Sequence, residues 1–151
     1  MTLLSLFKNT NNNNPQTLIW GEDSFLNDYL AHSYAHEKKF VELDRITVDC
    51  ETDGLDNLIA DLTESSLFSS QKLIVVKNPF FLTSKAPKKM KKQFDQLERI
   101  FVHIQGSDNV VIIIASYNKL DRRKKLTKTV LSNFNVVETK IKTYEVTAIA
   151  K

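Results

Sequence analysis

The stretch TLIWGEDSFL, residues 17–26, decides the fold class, because it joins an apolar strand to a helix through a turn with a single glycine. The run Thr17–Trp20 stops at Gly21 and predicts a short buried strand. Asp23 or Ser24 then caps the helix that follows. The apolar residues of this helix recur at helical spacing: Phe25, Leu26, Tyr29, Leu30 and Tyr34.

Strand and helix patterns alternate along the rest of the chain. Further strands are predicted at 45–48, 72–77, 109–115 and 136–137. Between them, helices begin at Asp53, near Pro87 and at Asp121, where the two aspartates are predicted caps. Strands that alternate with helices indicate a parallel sheet. The sequence therefore predicts a three-layer α/β fold, with about five parallel strands and helices on both faces.

Composition sets limits on the class of protein. The 151 residues fit one domain, and 42% hydrophobic residues support a real core. A net charge of +3 permits contact with nucleic acid or with an acidic protein without requiring it. Cys50 is the single cysteine, so the chain can form no internal disulfide, and a reducing, cytoplasmic location is expected. No apolar run approaches the roughly 18 residues of a membrane span, so no membrane contact is expected.

The turn after the first strand lacks the chemistry of a nucleotide site. A phosphate-binding loop needs several glycines and a lysine at this point, because backbone amides and an ammonium group must hold the phosphates. This chain has Gly21, Glu22 and Asp23 there, and the two acids repel a triphosphate. The strand at 72–77 also lacks the following acidic residue that would hold magnesium. The sequence therefore predicts a degenerate nucleotide site, no cofactor and no ATPase activity.

Other catalytic patterns are weak. His32 and His36 are four residues apart on one helix but have no third metal ligand in a known pattern. Cys50 lies between two acids, which should raise the pKa of its thiol. The string Glu138-Thr139-Lys140 is typical of metal-dependent nucleases, although the nearest upstream acid on a strand is Asp108. We assign no catalytic or metal-binding residue, and a metal-dependent nuclease stays open as an alternative.

Three surface features are candidates for binding a partner. The first is Leu67 and Phe68 within SSLFSS, residues 65–70, where an apolar pair either anchors a partner or tucks under the edge of the sheet. The other two are basic clusters at the starts of the third and fourth helices, which either contact DNA or an acidic protein, or are solvated. Their members are Lys85, Lys88, Lys89, Lys91 and Lys92, and then Arg122, Arg123, Lys124, Lys125 and Lys128. No aromatic residue is interleaved with either cluster, so sequence-specific DNA recognition is not expected, whereas nonspecific DNA binding stays open.

Three motifs occur in an order that resembles a known family. They are LIWGEDSFL at 18–26, SLF at 66–68 before LIVV at 73–76, and IIAS at 113–116 followed by KLDRRKKL at 119–126. In this order they resemble the N-terminal domain of the bacterial DNA polymerase III delta subunit, the clamp-loader component that opens the sliding clamp. The resemblance covers about residues 17 to 140.

The resemblance implies an AAA+-type fold that has lost ATP binding, and a domain that is not itself an enzyme but belongs to a DNA-directed DNA polymerase complex. It implies that Leu67 and Phe68, beside Ser66, enter the hydrophobic pocket of the β sliding clamp. The domain would then bind and open the clamp for loading onto primed DNA. Its expected partners are the clamp and the other clamp-loader subunits, with DNA contacted indirectly or weakly.

The resemblance also predicts the domain organisation. Residues 1–16 are expected to be a partly flexible lead-in, 17–141 the AAA+-like domain, and 142–151 the start of a linker to a lid domain that this chain lacks. The chain is thus expected to be the N-terminal piece of a longer protein. The asparagine run at 11–14 and the lysines at 85–92 have no counterpart in the family pattern. Candidate contacts with DNA or an acidic partner are Lys88, Lys89, Lys91, Lys92, Arg122 and Arg123.

Overall fold

The structure, a computed structural model, consists of alternating strands and helices. It describes residues 14–37, 43–63, 71–84, 88–107 and 109–139, without the side chains of Glu37 and Lys88. The strands are β1 (Thr17–Trp20), β2 (Asp44–Asp49), β3 (Lys72–Lys77), β4 (Val110–Ala115) and β5 (Asn135–Glu138). The helices are α1 (Ser24–Glu37), α2 (Leu55–Thr63), α3 (Lys91–Val102) and α4 (Lys125–Asn133). Short 3-10 turns occur at Phe80–Leu82, Lys88–Met90 and Ile104–Gly106.

The five strands form one parallel sheet in the order β2-β3-β4-β1-β5. Strand β1 pairs with the central strand β4 on one side and with the edge strand β5 on the other, so that Leu18 lies between Ile113 and Val136. Because all strands are parallel, their carboxyl ends meet at one edge of the sheet, called here the carboxyl edge. The prediction of a parallel sheet of about five strands is confirmed.

Helices cover both faces of the sheet, as predicted, but unequally. Helices α2, α3 and α4 pack on one face, around Leu18, Ile74 and Val111. Helix α1 packs on the other face, against residues such as Ile19 and Ile112. The chain crosses from β1 to the edge strand β2 and then returns strand by strand, and right-handed crossovers in opposite directions place helices on opposite faces.

Helix α1 corrects one expectation of the sequence pattern. Leu26, Leu30 and Tyr34 are buried against the sheet. Phe25 and Tyr29 point to solvent and are 81% and 51% exposed. Their spacing of four residues is helical, but it follows the outer side of the helix. Apolar spacing alone therefore does not tell which side of this helix is buried.

The predicted helix caps are right at one position of three. The carboxylate of Asp23 accepts a hydrogen bond from the amide of Leu26 at 3.0 Å, which caps α1. Asp53 instead accepts from the amide of Asp49 at 2.9 Å and closes the turn before α2. Asp121 does not cap α4: that helix starts only at Lys125, after an added turn, and its N-cap residue is Lys124.

Buried polar side chains tie the first described residues to the domain. The Gln16 side chain is fully buried and donates to the carbonyl oxygens of Ile104 at 3.1 Å and Asn109 at 2.8 Å. The Asn14 side chain donates to the carbonyl oxygen of Asn133 at 2.9 Å. These bonds fasten the start of β1 to α4 and to the loop before β4. Among the described helices, none has the length and apolar character needed to cross a membrane.

Candidate functional site

The turn after β1 is closed by the protein's own side chains. The amide of Gly21 donates to the carbonyl oxygen of Ala115 at 3.0 Å, at the end of β4. The carbonyl oxygen of Gly21 accepts from the side-chain amide of Asn27 at 3.0 Å. Asn27 is fully buried, donates also to the hydroxyl of Ser116 at 3.2 Å, and accepts from the hydroxyl of Thr139. The amide and the carbonyl oxygen of Gly21 are thus both hydrogen-bonded by other groups of the protein.

Thr139 occupies the space against the glycine. Its amide donates to the carbonyl oxygen of Trp20 at 2.8 Å, and its hydroxyl oxygen lies 3.1 Å from the same carbonyl oxygen. A Cβ atom added to Gly21 would lie 2.1 Å from Oγ1 of Thr139. The glycine is required here for this close approach. The side chain of Thr139 therefore fills the space beside Gly21.

The start of α1 adds charge of the wrong sign for a phosphate. Asp23 caps the helix with its carboxylate, and its carbonyl oxygen accepts from the amide of Asn27 at 3.0 Å. Glu22 and Asp23 are both exposed. An anion at a helix N-terminus is normally stabilised by free amides and by the helix dipole. Here the protein's own carboxylate takes that place.

An open groove of about 750 Å³ lies beside this turn, at the exit of β4. Its lining residues are Thr83, Ser84, Tyr117, Asn118, Lys119, Leu120, Asp121, Arg122 and Arg123. The guanidinium carbon of Arg122 lies 5.6 Å from the ring centroid of Trp20. Nε of Arg123 lies 3.3 Å from Oδ1 of Asp121. The hydroxyl of Tyr117 is buried and has no protein partner. This groove, called here the β4 groove, carries an excess of positive charge.

Comparison with known proteins identifies the family. The model of the family described as DNA polymerase III, delta subunit, matches residues 18–140. The chain belongs to this family. The DNA polymerase III subunit delta of Bacillus subtilis is 37% identical over 93 residues, which are 61% of this chain and 26% of that protein. The aligned region is therefore about a quarter of the length of that relative.

Solved structures agree on the fold of this delta-family domain. The Bacillus subtilis DNA clamp loader delta protein superposes with a TM-score of 0.72 over 98% of this chain and 45% of its own, at 24% identity. AMPPCP-bound DnaA from Aquifex aeolicus, an AAA+ protein, gives 0.53 over 90% of this chain and 43% of its own, at 16% identity. The AAA+-like topology predicted from the sequence is thereby confirmed.

The residues predicted to bind the clamp lie outside the described part of the delta-family domain. Ser66, Leu67 and Phe68 fall in the interval 64–70, between the end of α2 and the start of β3. Their role therefore stays a prediction.

The two basic clusters stand at the starts of helices that begin at the carboxyl edge. Helices α3 and α4 each follow a parallel strand, β3 and β4, so both begin at this edge. The described cluster members Lys89, Lys91, Lys92, Arg122 and Arg123 are all exposed. Lys88 begins a 3-10 turn, its side chain is not described, and Lys85 falls outside the described residues.

The structure brings aromatic rings to the second basic cluster, which sequence order did not reveal. Trp20 lies under Arg122, and the ring centroid of Phe94 lies 4.6 Å from Nζ of Lys124. The same lysine donates to the carbonyl oxygen of Thr83 at 3.0 Å, and burial lowers its pKa. Asn27 and Thr139 were also missed. The signal available for Asn27 was its position. It is a polar residue four positions after the Asp23 cap, on a side of α1 that is otherwise apolar and buried.

The alternative catalytic patterns find little support in the described residues. Glu138 is exposed, whereas Asp108 and Lys140 fall outside the described ranges. Within those ranges, no group of three His, Cys, Asp or Glu side chains is arranged to hold a metal ion. Burial, and then the charge of Asp49, raise the pKa of the Cys50 thiol to about 12, so this cysteine is protonated and unreactive at neutral pH. The predicted upward shift is confirmed.

Proposed function

We propose that this delta-family domain binds the sliding clamp and helps to open it for loading onto primed DNA, without binding or hydrolysing ATP itself. The observation that carries the second half of the proposal is the filled turn at Gly21. Asn27 bonds the carbonyl oxygen of Gly21, the side chain of Thr139 lies against Gly21, and Asp23 caps the helix that follows. Family membership supports the first half.

The proposed contact with the clamp is made by Leu67 and Phe68, beside Ser66. The segment that contains them connects α2, which ends at Thr63, to β3, which begins at Lys72. Strand β3 starts at the edge of the sheet opposite the carboxyl edge, where the filled turn lies. Two such side chains, fully buried in a partner, supply roughly 3–6 kcal/mol before the costs of association.

The assembly follows from this division of roles. Other clamp-loader subunits, acting with this one in the cytoplasm, bind the ATP, and this domain transmits their movement to the clamp. The domain is then a non-catalytic part of a DNA polymerase complex. Contact and not hydrolysis supplies its free energy, so the isolated chain should bind the clamp with no nucleotide present.

The test is a binding measurement between the 151-residue chain and the sliding clamp of the same organism, without nucleotide. The double variant Leu67→Ala and Phe68→Ala should bind at least about a hundredfold more weakly, because roughly 3 kcal/mol or more of apolar burial is lost. Phe25→Ala is the matched control, since it removes an aromatic ring that is 81% exposed on α1. Circular dichroism verifies that each variant is folded.

Two outcomes would contradict the proposal in separate ways. Equal affinity of the double variant and the unchanged chain rejects the assignment of Leu67 and Phe68. A clamp affinity that changes on addition of magnesium and ATP to the isolated chain rejects the claim that the filled turn excludes nucleotide.

A further inference from the structure

The β4 groove has a positive lining whose one acid is already engaged. Lys119, Arg122 and Arg123 face a single carboxylate, that of Asp121, among the nine lining residues. This carboxylate accepts from the amide of Arg123 at 3.1 Å and from the hydroxyl of Ser84 at 3.4 Å, and pairs with the Arg123 guanidinium. Arg122 and Lys119 are exposed and have no acid of their own in this lining. The groove therefore attracts anions.

Helix α4, which begins beside the groove, carries positive side chains at its N-terminus, where the helix dipole is also positive. Four consecutive cations, Arg122 to Lys125, stand at the start of α4. The first turn has no acidic residue, and the N-cap residue, Lys124, makes no side-chain capping bond. Cations at a helix N-terminus are unfavourable, and the first amides of a helix need acceptors. An anion bound at this point would offset both the charge repulsion and the uncapped amides.

Two further side chains suit the groove to an oxyanion. Arg122 is held over the Trp20 ring, which presents its planar guanidinium as a preformed donor. The Tyr117 hydroxyl is buried and lacks a protein partner, and burial raises the pKa of this phenol to about 12, so it keeps its proton at neutral pH and adds no negative charge to the groove. The charges of Glu51 and Asp49 also raise the pKa of Tyr117, so two acids flank the tyrosine end of the groove. The basic end is formed by Arg122 and Arg123.

We propose that the β4 groove binds the phosphate groups of a nucleic-acid backbone, with Arg122, Arg123 and Lys119 as the charged donors. Guanidinium groups, hydroxyls and helix amides are the donor set that proteins use for phosphate. An open groove of about 750 Å³ admits a chain of phosphates more readily than a closed cavity does. The proposed contact is independent of base sequence, because the named donors bind phosphate oxygens and not the edges of bases. It goes beyond the proposed clamp function and does not depend on Leu67 or Phe68.

The test measures binding of fluorescent single-stranded and duplex oligonucleotides to the 151-residue chain by anisotropy, at several salt concentrations. The pair of changes Arg122→Gln and Arg123→Gln should weaken binding by roughly tenfold or more and reduce the slope of log affinity against log salt by about 1 to 2. Arg99→Gln is the matched control: it removes one exposed arginine in the last turn of α3 and should have little effect. Lys119→Gln gives a second variant that leaves the stacking on Trp20 intact.

Removing the negative charge of Glu51, one of the acids that flank the groove, tests the location of the binding site in a second way. Glu51→Gln should tighten oligonucleotide binding by roughly twofold, because a repulsive charge near Tyr117 is lost. Oligonucleotide binding that is equal in the Arg122/Arg123 variant and in Arg99→Gln overturns the proposal. So does a fluorescent poly-glutamate peptide that competes as well as the oligonucleotide, since the groove is then a site for acidic peptides. Clamp binding is measured on the same variants and should be unchanged, so failure here is distinct from failure of the clamp contact.

Discussion

The turn after β1 and the groove after β4 both lie at the carboxyl edge, at the ends of neighbouring strands. The polar groups of the turn are bonded by the protein itself, whereas those of the groove are largely available. In the turn, Gly21 is bonded to β4 and to Asn27, and Thr139 fills the remaining space. In the groove, Arg122 is exposed and the Tyr117 hydroxyl has no protein partner. A site near a parallel sheet can bind a ligand only when its donors are not already used by the protein. By this criterion the turn is closed and the groove is open.

The difference follows from which strand ends next to each site. Strand β5 lies beside β1, so that Thr139, just after the end of β5, donates from its amide to the carbonyl oxygen of Trp20. The chain leaving β3, beside β4, instead runs through Phe80–Leu82 to Thr83 and Ser84, which form one side of the groove, and the carbonyl oxygen of Leu82 accepts from the amide of Asp121 at 2.8 Å. Space is filled at one exit and left open at the other.

Gly21→Ala is the change with the largest expected effect on the closed turn. The new Cβ would lie 2.1 Å from Oγ1 of Thr139, so the turn and the end of β5 have to separate. We expect a loss of about 3 kcal/mol in the free energy of unfolding, near the upper end for overpacking. Urea denaturation followed by circular dichroism measures it.

A control glycine and a compensating change sharpen this prediction. A Cβ on Gly106 meets no atom within 4 Å, so Gly106→Ala should change stability little. Adding Thr139→Ala to Gly21→Ala should recover part of the loss, because the nearest remaining atom is Cβ of Thr139 at 3.3 Å. If the two glycine variants are equally stable, Thr139 does not fill the turn as described.

Asn27→Ala should have the second largest effect. The side chain is fully buried and bonds the carbonyl oxygen of Gly21, the hydroxyl of Ser116 and the hydroxyl of Thr139. Its removal leaves buried polar atoms without partners, which costs about 2 kcal/mol. The exposed Asn118, in the groove lining, is the matched control, and Asn118→Ala should cost almost nothing. Thermal unfolding of the two variants compares the closed site with the open one, and similar losses would remove the distinction between them.

Asp121→Asn should have the smallest effect, and it should depend on pH. Hydrogen bonds from Arg123, first from its amide and then from its side chain, hold the pKa of the Asp121 carboxyl below its usual range. A folded-state pKa below the unfolded value stabilises the fold above about pH 4 and loses this contribution as the pH falls through the folded pKa. The unchanged chain should therefore be slightly more stable than the variant at pH 7, and the gap should narrow at an acidic pH below about 4. A gap that is the same at both pH values means that Asp121 is not held by Arg123.

Local patterns were enough to predict most elements of the fold. The bounds of β1 and β3 agree with the predicted strands, because unbroken apolar runs with clear stops leave little freedom. The side of α1 that is buried was not predictable, since apolar residues occur on both its sides. The start of α4 was placed too early, because the turn at Asp121 has the sequence of a cap but precedes the helix by four residues.

The candidate sites divide in the same way. The loss of the phosphate-binding residues at Gly21, Glu22 and Asp23 is visible in the sequence, because such a loop needs particular residues in one continuous segment. Sequence could not show that Thr139 fills the turn, since its partner Asn27 is 112 positions away. Nor could it show that Trp20 supports Arg122, because only the pairing of β1 with β4 brings those two segments together.

The sequence by itself thus determined the alternation of strands and helices, the family and the missing nucleotide chemistry, all of which depend on residues close together along the chain. Tertiary structure alone decided which polar groups are paired and which remain available. That outcome depends on the order of the strands, which sets the neighbours of each strand end. The same edge of one sheet therefore holds a turn closed by Thr139 and a groove left open beside Arg122.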